Sequence, residues 1–327
     1  MKKKYYLTLD TETATLPFAN EIAKNPKQKQ KIAIAKPLVY DIGWVITDRL
    51  GNRVKRVNYL IQETFFVPAI FNTAYYRNKR PIYEQLLAEG KIGVRNWNDM
   101  VAELLEDLEM CTCTCAYNAA FDYKKAIPFT EQYIAHLYAP GYQYWEDKQR
   151  MSCEKIVRGY KDDRESNPEY LKPVFKLRDF EFPIVDLWAV ACERLINIDK
   201  YRNFCLDNSL ITNSGEFFKS SAETSFQYLN KKYDFTEDHT ALSDSEIEAD
   251  ILTKALKKGK VEPTLKAFPF RELGTTYDYV INKRPKSIPV VIEAFNNYLS
   301  QQMTHNSYVS KIEGLMLMLE GIVNKLG

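Results

Sequence analysis

Apolar and polar positions fall into short blocks along the chain, and the spacing within each block predicts strands and helices in alternation. Five blocks are rich in β-branched, aromatic or small apolar residues, as buried strands are. They cover residues 4–10, 38–48, 54–62, 111–116 and 182–188. A polar turn separates the second block from the third, which predicts a hairpin there.

Helical spacing occupies several stretches between and after these strands. Asn98 precedes apolar residues spaced i, i+3, i+4 and i+7, so it is predicted to cap a helix. Further helices are predicted over 123–137, after the fifth strand as far as residue 195, over 222–232 and over 244–258. This order is typical of an α/β fold, with a mixed five-stranded sheet flanked by helices.

Polar and irregular segments interrupt the pattern and are interpreted as long insertions in a domain spanning 1–258. They lie at about 14–37, 63–95 and 142–183. Beyond residue 258 prolines become frequent, and helical spacing returns only towards the end of the chain. We therefore predict a basic, helical C-terminal extension over 259–327. Its two helices are expected at 288–303 and 308–326.

Charge is balanced over the whole chain but not locally. The 327 residues hold 45 Lys plus Arg and 43 Asp plus Glu, a net charge of +2, which excludes a uniformly basic nucleic-acid coat. Residues 254–286 nevertheless carry nine basic against three acidic side chains. Five lysines at 24–36 also have no acidic residue among them. A solvated loop is the simpler interpretation of these lysines, and contact with nucleic acid is the alternative.

The six cysteines and the hydropathy pattern bear on the cellular compartment. No cysteine spacing is typical of a zinc site, and acidic residues interrupt the apolar segment near the N-terminus. No apolar run approaches the 18 residues that a membrane span needs. We predict a cytoplasmic protein with reduced thiols and no membrane partner.

Acidic residues follow two of the predicted strands and open one of the predicted helices. Asp10 and Glu12 stand two residues apart at a strand end, so their side chains share one face. Asp122 follows a second strand, and Asp244 lies near the start of a helix. Carboxylates brought together repel one another unless cations bind them, and such oxygen ligands suit Mg²⁺ or Mn²⁺. Two such ions about 3.5–4 Å apart are a common device for displacement at phosphorus.

One of only three histidines lies next to this acidic set. His239 precedes Asp244 by five residues and is expected on the loop that enters the helix. A neutral imidazole is a suitable general base for activating water.

These residues form three motifs that occur in order along the chain. The motifs are Asp10-Thr11-Glu12, Asn118-x-x-Phe121-Asp122 and His239-x-x-x-x-Asp244. Together they resemble the three motifs of the DEDDh (DnaQ-like) 3′–5′ exonuclease family, over roughly residues 4–256. Thr240 stands where the sister subgroup has a tyrosine, so the histidine subgroup is the better match.

The resemblance implies a ribonuclease-H-like fold and two bound Mg²⁺ or Mn²⁺ ions. It implies hydrolysis that releases 5′-mononucleotides from single-stranded or frayed 3′ ends of DNA or RNA. By the motif match, His239 is the general base, and the metal ligands are Asp10, Glu12, Asp122 and Asp244. The same match nominates five neighbours as nucleotide contacts. These are Thr13, Ala14, Leu16, Asn118 and Phe121.

Other functions remain open on the same residues. One alternative is a non-catalytic nucleic-acid-binding or scaffolding protein, and another is an RNA-trimming ribonuclease or an endonuclease of the same broad fold. The sequence has no polymerase or helicase segment, so a proofreading role would need a separate polymerase or replication and repair partner. Asp186 fits no ligand position, and we expect it to make a structural hydrogen bond instead.

Overall fold

The computed structural model describes residues 5–159 and 167–282, and within this range the chain divides into two compact units. The larger comprises 5–159, 167–190 and 234–267, and the smaller comprises 191–233 and 268–282. Both helices predicted beyond residue 287 lie outside the described residues. Among the residues described, no helix is long and apolar enough to cross a bilayer.

A seven-stranded mixed sheet forms the centre of the larger unit. Its strands are β1 (Tyr5–Thr15), β2 (Pro37–Asp48), β3 (Arg53–Ile61), β4 (Gly93–Arg95), β5 (Cys111–Ala116), β6 (Val174–Leu177) and β7 (Phe180–Asp186). They lie in the order β4-β3-β2-β1-β5-β7-β6. The pairs β1–β2, β2–β3 and β6–β7 are antiparallel, and β1–β5, β5–β7 and β3–β4 are parallel. The α/β class and the mixed sheet are therefore confirmed.

The predicted number of five strands is wrong, because the sheet has two further strands at its edges. β4 has three residues and β6 has four, and both lie in segments predicted as insertions. Strands this short give no measurable alternation of apolar and polar residues, and each has a neighbour on one side only. Nothing in the sequence pattern distinguishes them from loop.

Helices of the larger unit lie before, between and after the strands in the chain. They are α1 (Ala19–Ile22), α2 (Pro26–Ala35), α3 (Gln62–Phe65), α4 (Pro68–Phe71), α5 (Arg80–Ala88), α6 (Trp97–Met110), α7 (Ala119–Phe121), α8 (Ile127–Leu137), α9 (Tyr142–Gly159), α10 (Leu187–Val190) and α13 (Ala241–Lys258). A 3₁₀ turn covers Arg77–Lys79, and a π-helical turn covers Asp122–Ala126. The predicted cap of α6 is wrong: Asn96, not Asn98, accepts the N-cap hydrogen bond, from Asp99 N–H. Asn98 Oδ1 instead accepts from Arg178.

Neighbouring residues of β2 face opposite sides of the sheet, which places α6 and α13 on different faces. The Trp44 indole N–H donates to Asp107 of α6 at 2.8 Å. Gly43 faces α13 so closely that a Cβ atom there would lie 2.3 Å from the Leu242 nitrogen. Only glycine permits this approach, which brings the start of α13 onto the strand that pairs with β1.

The smaller unit is built from short helices around aromatic residues. It holds a π-helical turn (Ala191–Leu195), α11 (Asp199–Asp207), α12 (Ala222–Asn230), a 3₁₀ turn (Pro269–Leu273) and α14 (Thr276–Asn282). Tyr201 is fully buried, and its hydroxyl donates to the Lys219 carbonyl at 2.8 Å. Isolated bridges join Ile211 to Phe218 and Phe217 to Thr275.

Candidate metal centre

The first pair of predicted ligands lies in the second half of β1, on the side of the sheet that faces α13. The predicted strand end at Asp10 is wrong, because β1 stays paired with β2 as far as Thr15. Asp10 is paired in register with Gly43, and Glu12 is paired with Asp41. Both carboxylates are half-buried. The pairing register of β1 with β2 shifts between Glu12 and Thr13, so the strand is irregular directly after the second of these carboxylates. As the strand spacing predicts, the two acidic side chains share one face.

Asp122 is held at the neighbouring strand end by β1 itself. The Thr11 hydroxyl donates to Asp122 Oδ1 at 2.6 Å, and the Thr11 backbone N–H also donates to this carboxylate. Asp122 begins the π-helical turn, six residues before Pro128. Proline cannot donate a backbone hydrogen bond and clashes with the preceding turn, which accounts for the widened helix here. Asn118, with φ of 61°, turns the chain from β5 into this segment.

Asp244 lies in the first turn of α13, whose start is fixed by a buried carboxylate of β2. Asp41 Oδ2 accepts the Ala241 backbone N–H at 2.9 Å and the Tyr83 hydroxyl at 2.9 Å. The helix therefore begins at Ala241, three residues before the predicted start. The N-cap residue Thr240 makes no side-chain cap hydrogen bond. The Asp41 carboxylate of β2 thus replaces a cap from the helix's own N-cap residue.

His239 stands at the mouth of the site, on the loop before α13. Its Nδ1 atom lies 3.8 Å from Asp244 Oδ2 and 3.7 Å from Glu237 Oε2. The imidazole stacks on the Tyr76 ring with centroids 4.5 Å apart, and the Lys79 ammonium lies over that same Tyr76 ring at 4.8 Å. The backbone of His239 is left-handed, with φ of 50°. The stacking on Tyr76 and the left-handed backbone together fix the direction of the imidazole, although the His239 side chain is 31% exposed.

Three of these groups are close enough to share one cation. Glu12, His239 and Asp244 each offer a ligand atom, and the three atoms lie within 4.8 Å of one another. Asp244 Oδ1 is buried and accepts no hydrogen bond from any residue that the structure describes. A buried carboxylate oxygen without a donor is costly, and either a proton or a bound cation would relieve this cost.

Burial and mutual repulsion raise the pKa values of all four predicted ligands. Burial raises the pKa of Asp10 and of Glu12 well above their ordinary values. The charge of Asp122 raises the pKa of Asp10 further, and the charge of Asp244 raises the pKa of Glu12 further. Burial also raises the pKa of Asp122 to about 7 and that of Asp244 to about 8, the latter with Glu237 as the next cause. In the metal-free site these carboxyl groups therefore favour a proton, or a bound cation in its place, over the unpaired ionised form.

A fifth carboxylate belongs to this cluster and was missed in the sequence. Glu248 lies one helical turn after Asp244 on α13 and is only 2% exposed. One side of its carboxylate accepts the Tyr117 backbone N–H, while Oε2 is buried and accepts no hydrogen bond from the described residues. Burial, followed by the charge of Asp122, raises its pKa well above the ordinary value. The i, i+4 spacing from Asp244 is the signal that could have identified it.

Lys79 is a cation that acts on two of these carboxylates, and it too was missed. Its charge lowers the pKa of both Glu12 and Asp244 against the larger effect of burial. Its ammonium also donates to the Asp238 carbonyl, next to His239. Lys79 comes from a segment predicted as an insertion, and nothing in the local sequence connects it with the three motifs.

The predicted nucleotide contacts occupy different environments. Thr13 and Phe121 line a cavity of about 780 Å³ beside the carboxylates. Asn118 forms the left-handed turn described above. Ala14 and Leu16 belong to the hydrophobic core and are 1% and 0% exposed. Contact of these five residues with a nucleotide stays a prediction.

Asp186 makes the structural hydrogen bonds expected of it. Its Oδ1 accepts the Trp188 N–H at 3.0 Å, and its carboxylate also accepts the backbone N–H groups of Ala119, Ala189 and Lys266. These bonds hold the start of α7 against the end of β7, directly before the segment that carries Asp122.

The arrangement as a whole fits hard divalent cations. Five carboxylates from β1, from the segment after β5 and from α13 lie close enough to raise one another's pKa values, and buried oxygens of Asp244 and Glu248 accept no hydrogen bond from the described residues. An imidazole stands at their edge. A comparison of the chain with protein-family models, with curated proteins and with solved structures finds no match.

Proposed function

We propose that this protein is a divalent-metal-dependent 3′–5′ exonuclease that releases 5′-mononucleotides from DNA or RNA ends. The observation that carries the proposal is the convergence of Asp10, Glu12, Asp122 and Asp244 beside His239. The three motifs that contribute these residues lie more than 100 positions apart in sequence, yet their side chains influence one another electrostatically. A surface role for each carboxylate would not bring them together.

The four carboxylates, with Glu248 behind them, would hold Mg²⁺ or Mn²⁺. Such ions supply an activated water and neutralise the charge that develops on the leaving oxygen. Thr11 orients Asp122, and Asp41 fixes the helix that carries Asp244. Stacking on Tyr76 directs the His239 imidazole, in the role of general base, towards the space beside Asp244.

A ribonuclease-H-like fold is part of the proposal. It is supported by a mixed sheet with helices on opposite faces and by the position of two acidic residues in its central strand, β1. The non-catalytic alternative is weaker, because a protein that only binds nucleic acid has no need of buried carboxylates without donors.

The experiment is a time course on a 5′-labelled single-stranded oligonucleotide with Mg²⁺, with Mn²⁺ and with a chelator. We expect a ladder that shortens from the 3′ end, with 5′-mononucleotides as products, and no change in the chelator. A stable complex without shortening would favour the binding protein. Cleavage of a circular substrate without ends would favour an endonuclease. Parallel digests of single-stranded DNA, duplex DNA and RNA identify the preferred substrate.

A further inference from the structure

A cavity of about 780 Å³ opens beside the metal centre and is formed largely by two of the inserted segments. We call it the basic groove and define it by Lys24, Lys27, Lys29, Tyr75 and Arg77. Thr13 and Phe121 also line it. Thr13 follows Glu12 in the chain and Phe121 precedes Asp122, although none of the predicted metal ligands itself lines the groove.

The groove has cations and no acidic residue in its lining. Within the described part of the chain, none of its three lysines or Arg77 has a carboxylate oxygen within 4 Å. The stretch from Ile22 to Tyr40 contains no acidic residue at all. Burial lowers the pKa of Lys29, and the charge of Arg77 lowers it further, so two cations face one another here. Like charges gathered around a cavity are expected where an anion is the partner.

Aromatic rings connect this groove with the catalytic histidine. Tyr75 lines the groove and is 81% exposed. Its ring meets Tyr76 edge-to-face with centroids 4.8 Å apart, and Tyr76 stacks on His239. An exposed tyrosine beside a row of cations is the arrangement that binds unpaired nucleic acid, where bases stack on rings and phosphates contact lysine and arginine.

We propose that the basic groove binds the single-stranded stretch that precedes the 3′-terminal nucleotide of the substrate. Phosphates contact Lys24, Lys27, Lys29 and Arg77, and a base stacks on Tyr75. This inference rests on the proposed function for the direction of the strand. A duplex is disfavoured because a base that stacks on a side chain must first be unpaired. The groove would hold the substrate while its terminal nucleotide lies at the carboxylates.

The test measures binding without hydrolysis. A fluorescent single-stranded oligonucleotide is titrated by anisotropy with the full chain carrying Asp10→Asn, in a chelator and at several salt concentrations. Lys24→Gln, Lys27→Gln and Lys29→Gln together should weaken binding at least about 10-fold at low salt and reduce the slope of log K against log salt by about 2. Lys31→Gln is the control, because Lys31 lies on α2 with Lys27 and Lys29 but does not line the groove. It should change neither quantity.

A second variant separates stacking from charge. Tyr75→Ala should weaken binding roughly 5-fold or more with the salt slope unchanged. Unaltered affinity and slope in the triple lysine variant would overturn the proposal. Equal affinity for a fully paired duplex would also overturn it, and so would binding of polyglutamate as tight as that of the oligonucleotide. DNA and RNA of one sequence are compared in the same assay.

Failure of this inference is distinguishable from failure of the proposed function. If the lysine substitutions weaken binding but the parent protein shortens no substrate, the groove proposal is supported and the proposed exonuclease activity is contradicted. If the triple lysine variant shortens long oligonucleotides with an unchanged KM, the groove proposal is contradicted and the proposed exonuclease activity is supported.

Discussion

At the scale of single residues, the motif spacing identified the groups that we propose carry the chemistry, but not the groups that position them. Asp10, Glu12, Asp122, Asp244 and His239 were all nominated from the sequence, and the structure brings them to one end of the sheet. Thr11 and Lys79 act on these groups through tertiary contacts that no sequence spacing encodes. Their roles could be recognised only once the fold was known.

Glu248 is expected to contribute to metal binding. Glu248→Gln removes one negative charge from the cluster but keeps the shape of the side chain. The Kd for Mn²⁺, measured by calorimetry, should rise roughly 10-fold or more, as it does when groups behind metal ligands are changed. Glu246→Gln is the control, since Glu246 lies two residues away on α13 and pairs with Arg53 and Arg56 instead. Equal Mn²⁺ affinity in the Glu248 variant and the parent would exclude the role.

His239 is expected to act on water rather than to hold the cation. His239→Ala should slow hydrolysis by roughly two orders of magnitude or more, the usual effect of losing a general base. The Mn²⁺ Kd should stay within a few-fold of the parent value. A loss of metal affinity as large as the loss of rate would instead make His239 a ligand, as its position within 4.8 Å of Glu12 and Asp244 permits.

At the scale of elements, the five long strands and the helices α6, α8 and α13 were predictable, while the short edge strands and the helix starts were not. The helices α2 and α9 were missed as well, because they lie in polar segments predicted as insertions. β1, β2, β3, β5 and β7 have patterns long enough to read, but β4 and β6 do not. The start of α13 depends on Asp41, a residue 200 positions away in the sequence. Asp41 is the one acidic residue among the buried positions of β2, and this is the only local sign of its importance.

Asp41 is expected to stabilise the protein by capping α13. Asp41→Ala leaves the Ala241 N–H and the Tyr83 hydroxyl without their acceptor, and the free energy of unfolding in urea should fall by about 3 kcal/mol. Asp41→Asn keeps an acceptor oxygen and should recover most of this loss. If both variants were as stable as the parent, the cap would have no energetic role.

At the scale of the whole molecule, the near-neutral net charge arises from opposite charges placed in different regions. The carboxylates gather around the second half of β1, and Lys24 and two lysines of α2 line the groove formed by the neighbouring segments. A composition sum cannot reveal this separation. The two-unit division also depends on tertiary contacts, because residues 234–267 return to the larger unit after the chain has built part of the smaller one.

The acidic cluster should make the stability of the metal-free protein depend on pH. Folding raises the pKa of Asp122 to about 7 and that of Asp244 to about 8, so their protonated forms are favoured in the folded state. Their stabilising contribution is present below about pH 4 and is lost as the pH rises to about 8. In a chelator the Tm should therefore fall between pH 5 and 8.

Mn²⁺ should reverse this loss, and more strongly at pH 8 than at pH 6, because protons compete with the cation for the carboxylates. Thermal unfolding at both pH values, with and without saturating Mn²⁺, measures the effect. The Asp244→Asn variant should show a weaker dependence on both pH and Mn²⁺. A Tm increase of equal size at the two pH values would contradict the electrostatic account.

The central claim is that carboxylates from three separate segments form one metal-dependent hydrolytic site. The most direct measurement compares the rate of 3′ shortening of a 5′-labelled oligonucleotide in Mg²⁺ for the parent, Asp10→Ala, Asp122→Ala and the control Glu246→Gln, each purified and verified as folded. We predict parent-like shortening by the control and background rates for both aspartate variants. Full activity in either aspartate variant would contradict the claim.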